Sequence, residues 1–347
     1  MPGLGNGGGK FQLSVGWRYA KASRSYFNSR LNHNFTDLWK PVIRLSVLDV
    51  TARYRLNNST SILATMPVVM NHFSMIFPPL SPSRGRRLGY PASGVGDLSL
   101  FAQRWLLDPK KYPFENLAIG AGLKLPTGNW NLKGLVPDET GQNISRLAVS
   151  PPAIMPGDGG VGIIVGYEAY KTLRWPNFLR SSSLFTSGSY LINPRNTNGT
   201  RSIISNLGVP LTANFLNRLT NSVADGYSLS AGLAWRPPLV WEYDRLKGLR
   251  LLIVGKYEGL NSRDLIGQND GFRQPGYALA CGPGVSYSHG RDTFLVEMPI
   301  VFNRHINPGA TSLPGLPVRG QPAAFNANRQ LGLVAPVSLA LRYVRSF

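Results

Sequence analysis

Hydrophobic residues recur at every second position along this chain, in short runs broken by Gly, Pro and Asn. Across residues 11–20, Phe11, Leu13, Val15, Trp17 and Tyr19 alternate with Gln12, Ser14, Gly16 and Arg18. A two-residue period is that of a β-strand with unlike faces. Residues 42–56 repeat it, with Leu48, Val50, Ala52, Tyr54 and Leu56 set against Asp49, Thr51, Arg53 and Arg55. Asn57-Asn58 then reads as a tight hairpin turn. The same alternation predicts strands over residues 114–126, 226–236, 276–287 and 331–347. Less regular segments over 59–70, 96–107, 161–174, 183–193, 249–259 and 292–302 bring the expectation to about twelve strands, within a range of about ten to fourteen.

The connections alternate in length. Those starting near residues 21, 71, 127, 194, 260 and 303 run to roughly 16–34 residues, whereas those near 57, 108, 175, 237 and 288 take roughly 2–12. Long loops on one rim and short turns on the other fit a bacterial outer-membrane barrel, with both chain ends on the periplasmic side. In lipid an open sheet edge has no water to satisfy it, so a spanning sheet closes. The expected architecture is therefore all-β: a closed antiparallel transmembrane barrel over residues 11–347, preceded by a flexible segment 1–10. Its long external loops fall near 21–41, 71–95, 127–160, 194–225, 260–275 and 303–330. The apolar face meets lipid and the Gly-, Ser-, Ala- and charge-bearing face meets the lumen. Tyr19, Tyr54, Tyr227, Trp235, Tyr287 and Tyr343 near strand ends fit an interfacial girdle. A soluble β fold would instead turn its polar face outward.

Composition narrows the function. The formal charge of +20 would suggest nucleic acid on a soluble protein. Here the basic residues are dispersed, and the one compact cluster, Arg84, Arg86 and Arg87, lies in a Pro/Gly/Ser-rich loop, so no nucleic-acid partner is expected. The single Cys281 makes neither an internal disulfide nor a thiolate metal site. No stretch of about 18 apolar residues offers a helical span. The opening MPGLGNGGGKF lacks the charged start and apolar core of a secretory signal, so export to the outer membrane implies a leader removed from or missed in this sequence.

Three segments carry a resemblance. Residues 54–56 (YRL) with 62–69 (ILATMPVV), residues 94–107 (GVGDLSLFAQRWLL) and residues 117–128 (LAIGAGLKLPTG) resemble the outer-membrane barrel family described as meta-pathway phenol-degradation, transporter-like proteins. The end, LALRYVRSF at 339–347, is similar to the terminal aromatic signal read by the barrel-assembly machinery, carried here by Tyr343 and Phe347. The resemblance implies passage of small aromatic or hydrophobic molecules across the outer membrane, with outer-membrane lipid, the assembly machinery and small organic solutes as partners. The missing leader departs from the family pattern.

The lumen phase carries Arg53, Arg55, Lys124, Arg236 and Arg342, with Asp49 and Asp97 able to offset some of them and Glu168 and Glu297 as further partners. Two readings stay open. These charges either set the field seen by a permeant molecule or form a salt-bridge lattice that plugs a narrow barrel. Asp97, after Gly94-Val95-Gly96, is placed at a bend where its carboxylate caps turn amides or meets an inward cation. Pro126-Thr127-Gly128 ends a strand. Gly157-Asp158-Gly159-Gly160 reads as a tight turn. Phe101 and Tyr167 face either lipid or lumen, according to register. Ser288 and His289 are adjacent but on opposite strand faces, and His33, His72 and His305 are scattered in external loops, so no catalytic site, metal or cofactor is expected. The alternatives to a passive channel are an adhesion or structural barrel with a plugged lumen and an outer-membrane barrel hydrolase.

Overall fold

The computed structural model describes residues 9–33, 35–76, 87–136, 146–202, 219–241, 243–307 and 331–347. The chain is a closed, all-antiparallel, twelve-stranded β-barrel. Its strands are β1 (Phe11–Ala22), β2 (Val42–Arg55), β3 (Thr60–Ile76), β4 (Arg87–Val95 continued by Leu98–Trp105), β5 (Glu115–Leu125) and β6 (Gly162–Thr172). They continue as β7 (Ser183–Ile192), β8 (Gly226–Trp235), β9 (Leu249–Leu260), β10 (Gly276–His289), β11 (Asp292–Glu297 continued by Ile300–Ile306) and β12 (Ser338–Ser346). Each pairs with its neighbour in sequence, and β12 returns to β1, with Ser346 opposite Gln12 and Ser338 opposite Ala20.

The alternating residues divide as their chemistry dictates. Outward side chains are large and apolar and stand exposed, among them Ile119, Leu123, Ile163, Ile253 (61 %), Phe294 and Phe302. On a soluble protein such a belt would be a liability; around a closed barrel it is the lipid contact. The chain is thus an outer-membrane protein. Near the outer ends of β8 to β11, Tyr227, Tyr257, Tyr277 and His305 form one continuous outward row, with ring centroids 5.1, 5.5 and 5.9 Å apart. Near the inner rim Phe294 meets Tyr343 at 4.9 Å. Such rings, part apolar and part polar, settle at the headgroup level. Cys281 is exposed on the outward phase.

Several boundaries differ from the sequence expectation. β3 runs to Ile76 and β4 starts at Arg87, so much of the segment expected as a loop at 71–95 is strand. Residues 77–86, and with them Arg84 and Arg86, lie outside the described residues, as do 1–8, 137–145, 203–218 and 308–330 of the other expected loops and tail. His72 and His305 sit in these outer strand ends, not in loops. β4 is broken by Gly96-Asp97, where the pairing with β3 slips by one residue: Val95 faces Val68, but Ser99 faces Thr65. That is a bulge, and it bends the strand. The Arg87–Val95 segment pairs only with β3, because β5 stops at Leu125 ahead of Pro126, which has no N–H to donate. β11 is interrupted at Met298-Pro299 without a change of register, and its one-residue slip against β10 falls further on, where Ala280 faces Val301 but Leu279 faces Asn303. β12 begins at Ser338, not 331. Leu331–Leu333 pairs instead with Ser25–Phe27 in a small rim sheet, and Pro336 separates the two segments.

Candidate functional site in the barrel lumen

The inward phase encloses a cavity of about 520 Å³, lined by residues of nearly every wall: Arg18, Asp49, Phe101, Gln103, Glu168, Lys256, Glu258, Glu297 and Arg342 among them. The wall is wired by polar contacts between strands. Arg53 Nη2 donates to Gln103 Oε1 at 3.1 Å, and Gln103 Nε2 donates to Glu168 Oε2 at 3.0 Å. Arg342 faces the same cavity. Lys256 pairs with Glu297 at 2.9 Å and Arg18 with Asp49 at 2.8 Å. Arg55 follows Arg53 on the inward phase, one step nearer the periplasmic rim.

Asp97 sits in the β4 bulge at the outer end of the lumen. Its carboxylate accepts the Gly128 N–H at 2.9 Å and the Asp158 N–H at 3.3 Å, and Lys124 lies between Asp97 and Asp158. Thr127 closes the same corner: its hydroxyl accepts the Leu98 N–H and donates to the Gly96 carbonyl. Gly159 completes the turn with φ +80°, and the Asp158 carboxylate accepts the Gly160 N–H. Lys124 and Asp97 are both about nine-tenths buried, so their partners are not interchangeable with water. Asp97→Ala strands two amides and takes one acceptor from an ammonium. The expected loss is about 1–3 kcal/mol of folding stability, read from urea titrations of the protein in lipid vesicles. Asp97→Ala with wild-type stability would remove the carboxylate from this account.

Phe101 faces the lumen and Tyr167 faces outward. The Phe101 ring lies flat because its neighbours lack side chains. A Cβ on Gly120 would stand 2.5 Å from it, and one on Gly122 2.9 Å. Phe185, Ala234, Leu252, Val254 and Leu295 form an apolar cluster inside the barrel, with Tyr170 against it, and Phe185 and Leu295 also line the cavity. Trp105 meets Tyr170 edge-on at 5.5 Å. The lumen thus holds a capped outer rim, a charged middle, and an apolar patch shared by β7, β8, β9 and β11.

Arg236 and Arg250 stand at the periplasmic ends of β8 and β9. Phe347 packs on Phe11 at 5.8 Å, and Tyr343 donates to Asp292 at 2.6 Å, so the terminal aromatics are tied to the inner rim. Ser288 donates to or accepts from Thr293 on one strand face, while His289 stacks on Tyr287 on the other, so the two do not form a catalytic pair. Among the described residues no cluster of three or more His, Cys, Asp and Glu side chains is arranged to hold a metal ion.

Sequence reasoning passed over Arg18, Gln103, Asp158, Lys256 and Arg250. Arg18 and Asp158 stood in segments already singled out, but a partner across a barrel has no fixed spacing in sequence. Lys256 and Arg250 lie in a segment whose two faces were not separated. Glu297 pairs with lysine where arginine was expected.

No family model matches the chain, and no curated protein matches it by sequence. Solved structures do. An outer-membrane channel from Pseudomonas putida F1 superposes with a TM-score of 0.58 over 98% of this chain and 96% of its own, at 15% identity. The chain has the fold of an outer-membrane channel. The β domain of the Bordetella autotransporter BrkA covers 98% of this chain and 100% of its own at 11% identity, TM-score 0.44. The toluene transporter TbuX of Ralstonia pickettii covers 98% and 90% at 9% identity, TM-score 0.41.

Proposed function

We propose that this barrel is a passive outer-membrane channel for small aromatic or hydrophobic compounds. The observation that carries the reading is the lumen itself: a cavity of about 520 Å³ whose charged wall is interrupted by the flat face of Phe101 and by Phe185. That volume fits a one-ring solute rather than a polymer. The paired charges leave little net field, while the aromatic faces offer apolar contact. The sequence resemblance to the phenol-degradation, transporter-like barrels supports the same cargo class. No energy source is needed for passage down a gradient.

Single-channel recording on the refolded protein in a planar bilayer tests this. Steady ion conductance, interrupted by transient blocks when phenol is added, is expected. Phe101→Ala should shorten those blocks several-fold, since one aromatic contact contributes about 0.5–1.5 kcal/mol. A verified barrel that conducts nothing, with or without phenol, would end the channel reading. It would favour a sealed scaffold, a second reading to which the apolar cluster and the strand-to-strand ion pairs also lend support.

A further inference from the structure

Among the described residues, Arg236 and Arg250 are adjacent lumen cations that no carboxylate meets. In β8 and β9, Ala234 faces Leu252 and Trp235 faces Leu251. One step further along that register, Arg236 comes opposite Arg250, both on the inward phase at the periplasmic end. On the next strand Ser286 faces Arg250. Three adjacent strands therefore present Arg, Arg and Ser side by side.

Every other charged group in the cavity wall named above has a polar or charged partner or shares the open cavity. These two arginines have no carboxylate partner among the described residues. Among the described residues Arg250 makes a single side-chain hydrogen bond, a long 3.4 Å donation to Ser183 Oγ. The Arg236 Nε is buried with no hydrogen-bond partner, although its backbone N–H reaches Ser182 Oγ at 3.2 Å. Ser286 is 0 % exposed, and its hydroxyl also has no partner. A buried guanidinium N–H and a buried hydroxyl without acceptors each carry a desolvation cost. Two adjacent guanidinium groups add mutual repulsion. An oxyanion relieves all three costs at once.

We propose that Arg236, Arg250 and Ser286 form an oxyanion-binding site at the periplasmic end of the lumen, shaped for a carboxylate or phosphate group. Guanidinium forks match the two oxygens of such a group with parallel, charge-assisted hydrogen bonds, and Ser286 donates to a remaining lone pair. Leu252, two residues along β9 from Arg250, and Leu295, which faces Ser286 on β11, belong to the apolar cluster with Phe185, so an organic acid with a ring or short chain meets apolar side chains beside the arginines. The site depends on where these side chains face and not on solute passage, so a sealed lumen would leave it intact.

Calorimetric titration of the refolded, detergent-solubilised protein with benzoate, and separately with inorganic phosphate, tests the site. Saturable benzoate binding is expected, weakened by about tenfold or more in Arg250→Gln and in Arg236→Gln. Lys247→Gln, in the exposed turn between these strands, should bind as wild type. The heat-dependent electrophoretic shift of closed barrels verifies that each variant is folded. Should a variant fail that check, Ser286→Ala, which removes no charge, replaces it and should weaken binding less. Phosphate displacing benzoate supports the site and identifies it as a general oxyanion site; benzoate alone assigns it to organic acids. No binding of either probe, or binding equal in wild type and both arginine variants, overturns the proposal.

Discussion

Arg273→Met is expected to destabilise the outer loops by about 3–5 kcal/mol. Arg273 and Asp264 are 2 % and 1 % exposed, and the guanidinium meets the carboxylate with two parallel bonds of 2.8 and 2.7 Å. The same pair is the hub of a wider network. Arg273 also donates to Ser222, and Asp264 accepts the Asp225 N–H. Asp225, fully buried, in turn accepts the Asn193 and Leu265 amides and the Tyr190 hydroxyl. Removing Arg273 leaves the Asp264 charge buried and unopposed, which costs far more than the pair contributes when intact. Limited proteolysis of the protein in vesicles should show faster cleavage near residues 193–225 and 261–275. Arg273→Met combined with Asp264→Leu should recover most of the loss, because neither charge is then stranded. Equal cleavage rates in wild type and Arg273→Met would mean that the network does not hold the loops.

Ile253→Arg is expected to cost about 2–4 kcal/mol of stability in a bilayer. Ile253 is in the middle of β9, on the outward phase and 61 % exposed. A charge there faces the hydrocarbon centre, whereas exposure on a soluble protein would welcome it. Ser187→Arg supplies the contrast: Ser187 lines the lumen and faces Glu168 across the β6–β7 pair. Its expected change is within about 1 kcal/mol. Reversible unfolding in phospholipid vesicles measures both. A harmless Ile253→Arg would place the apolar belt out of contact with lipid and remove the membrane assignment.

The fold was largely legible because the two-residue period is a local property. Wherever one face had to meet lipid, as at Leu117 to Leu125 or Tyr227 to Trp235, alternation alone gave the strand and its two sides. It failed where the outward residue is not apolar or where proline interrupts the ladder. β3 and β4 rise beyond the apolar belt, and there the outward His72 and Ser93 carry no lipid signal, so the segment read as a loop. Leu331 and Leu333 kept the phase of β12 but lie beyond Pro336, and they pair elsewhere. The lumen was legible as a list of charges and not as a set of contacts. Arg53 reaches Glu168 only through Gln103, and these three residues come from β2, β6 and β4. Nothing within any one strand specifies that meeting. The loop network around Asp225 left no periodic trace at all.

The walls of this barrel are unequal. β3 has 17 residues and β5 has 11. At about 3.3 Å per residue and a tilt of about 40°, those lengths rise roughly 43 and 28 Å along the membrane normal. A hydrocarbon layer of about 25–30 Å is matched by the shorter wall and greatly exceeded by the taller. The strand wall is therefore stepped at its outer edge, high at Ile76 and low at Leu125. The step is filled from the β5–β6 connection, whose hairpin of residues 133–136 and 146–149 sets Gly134 against Tyr90 of the upper β4 segment. The loop that follows the short strand thus supplies the height that the strand itself lacks.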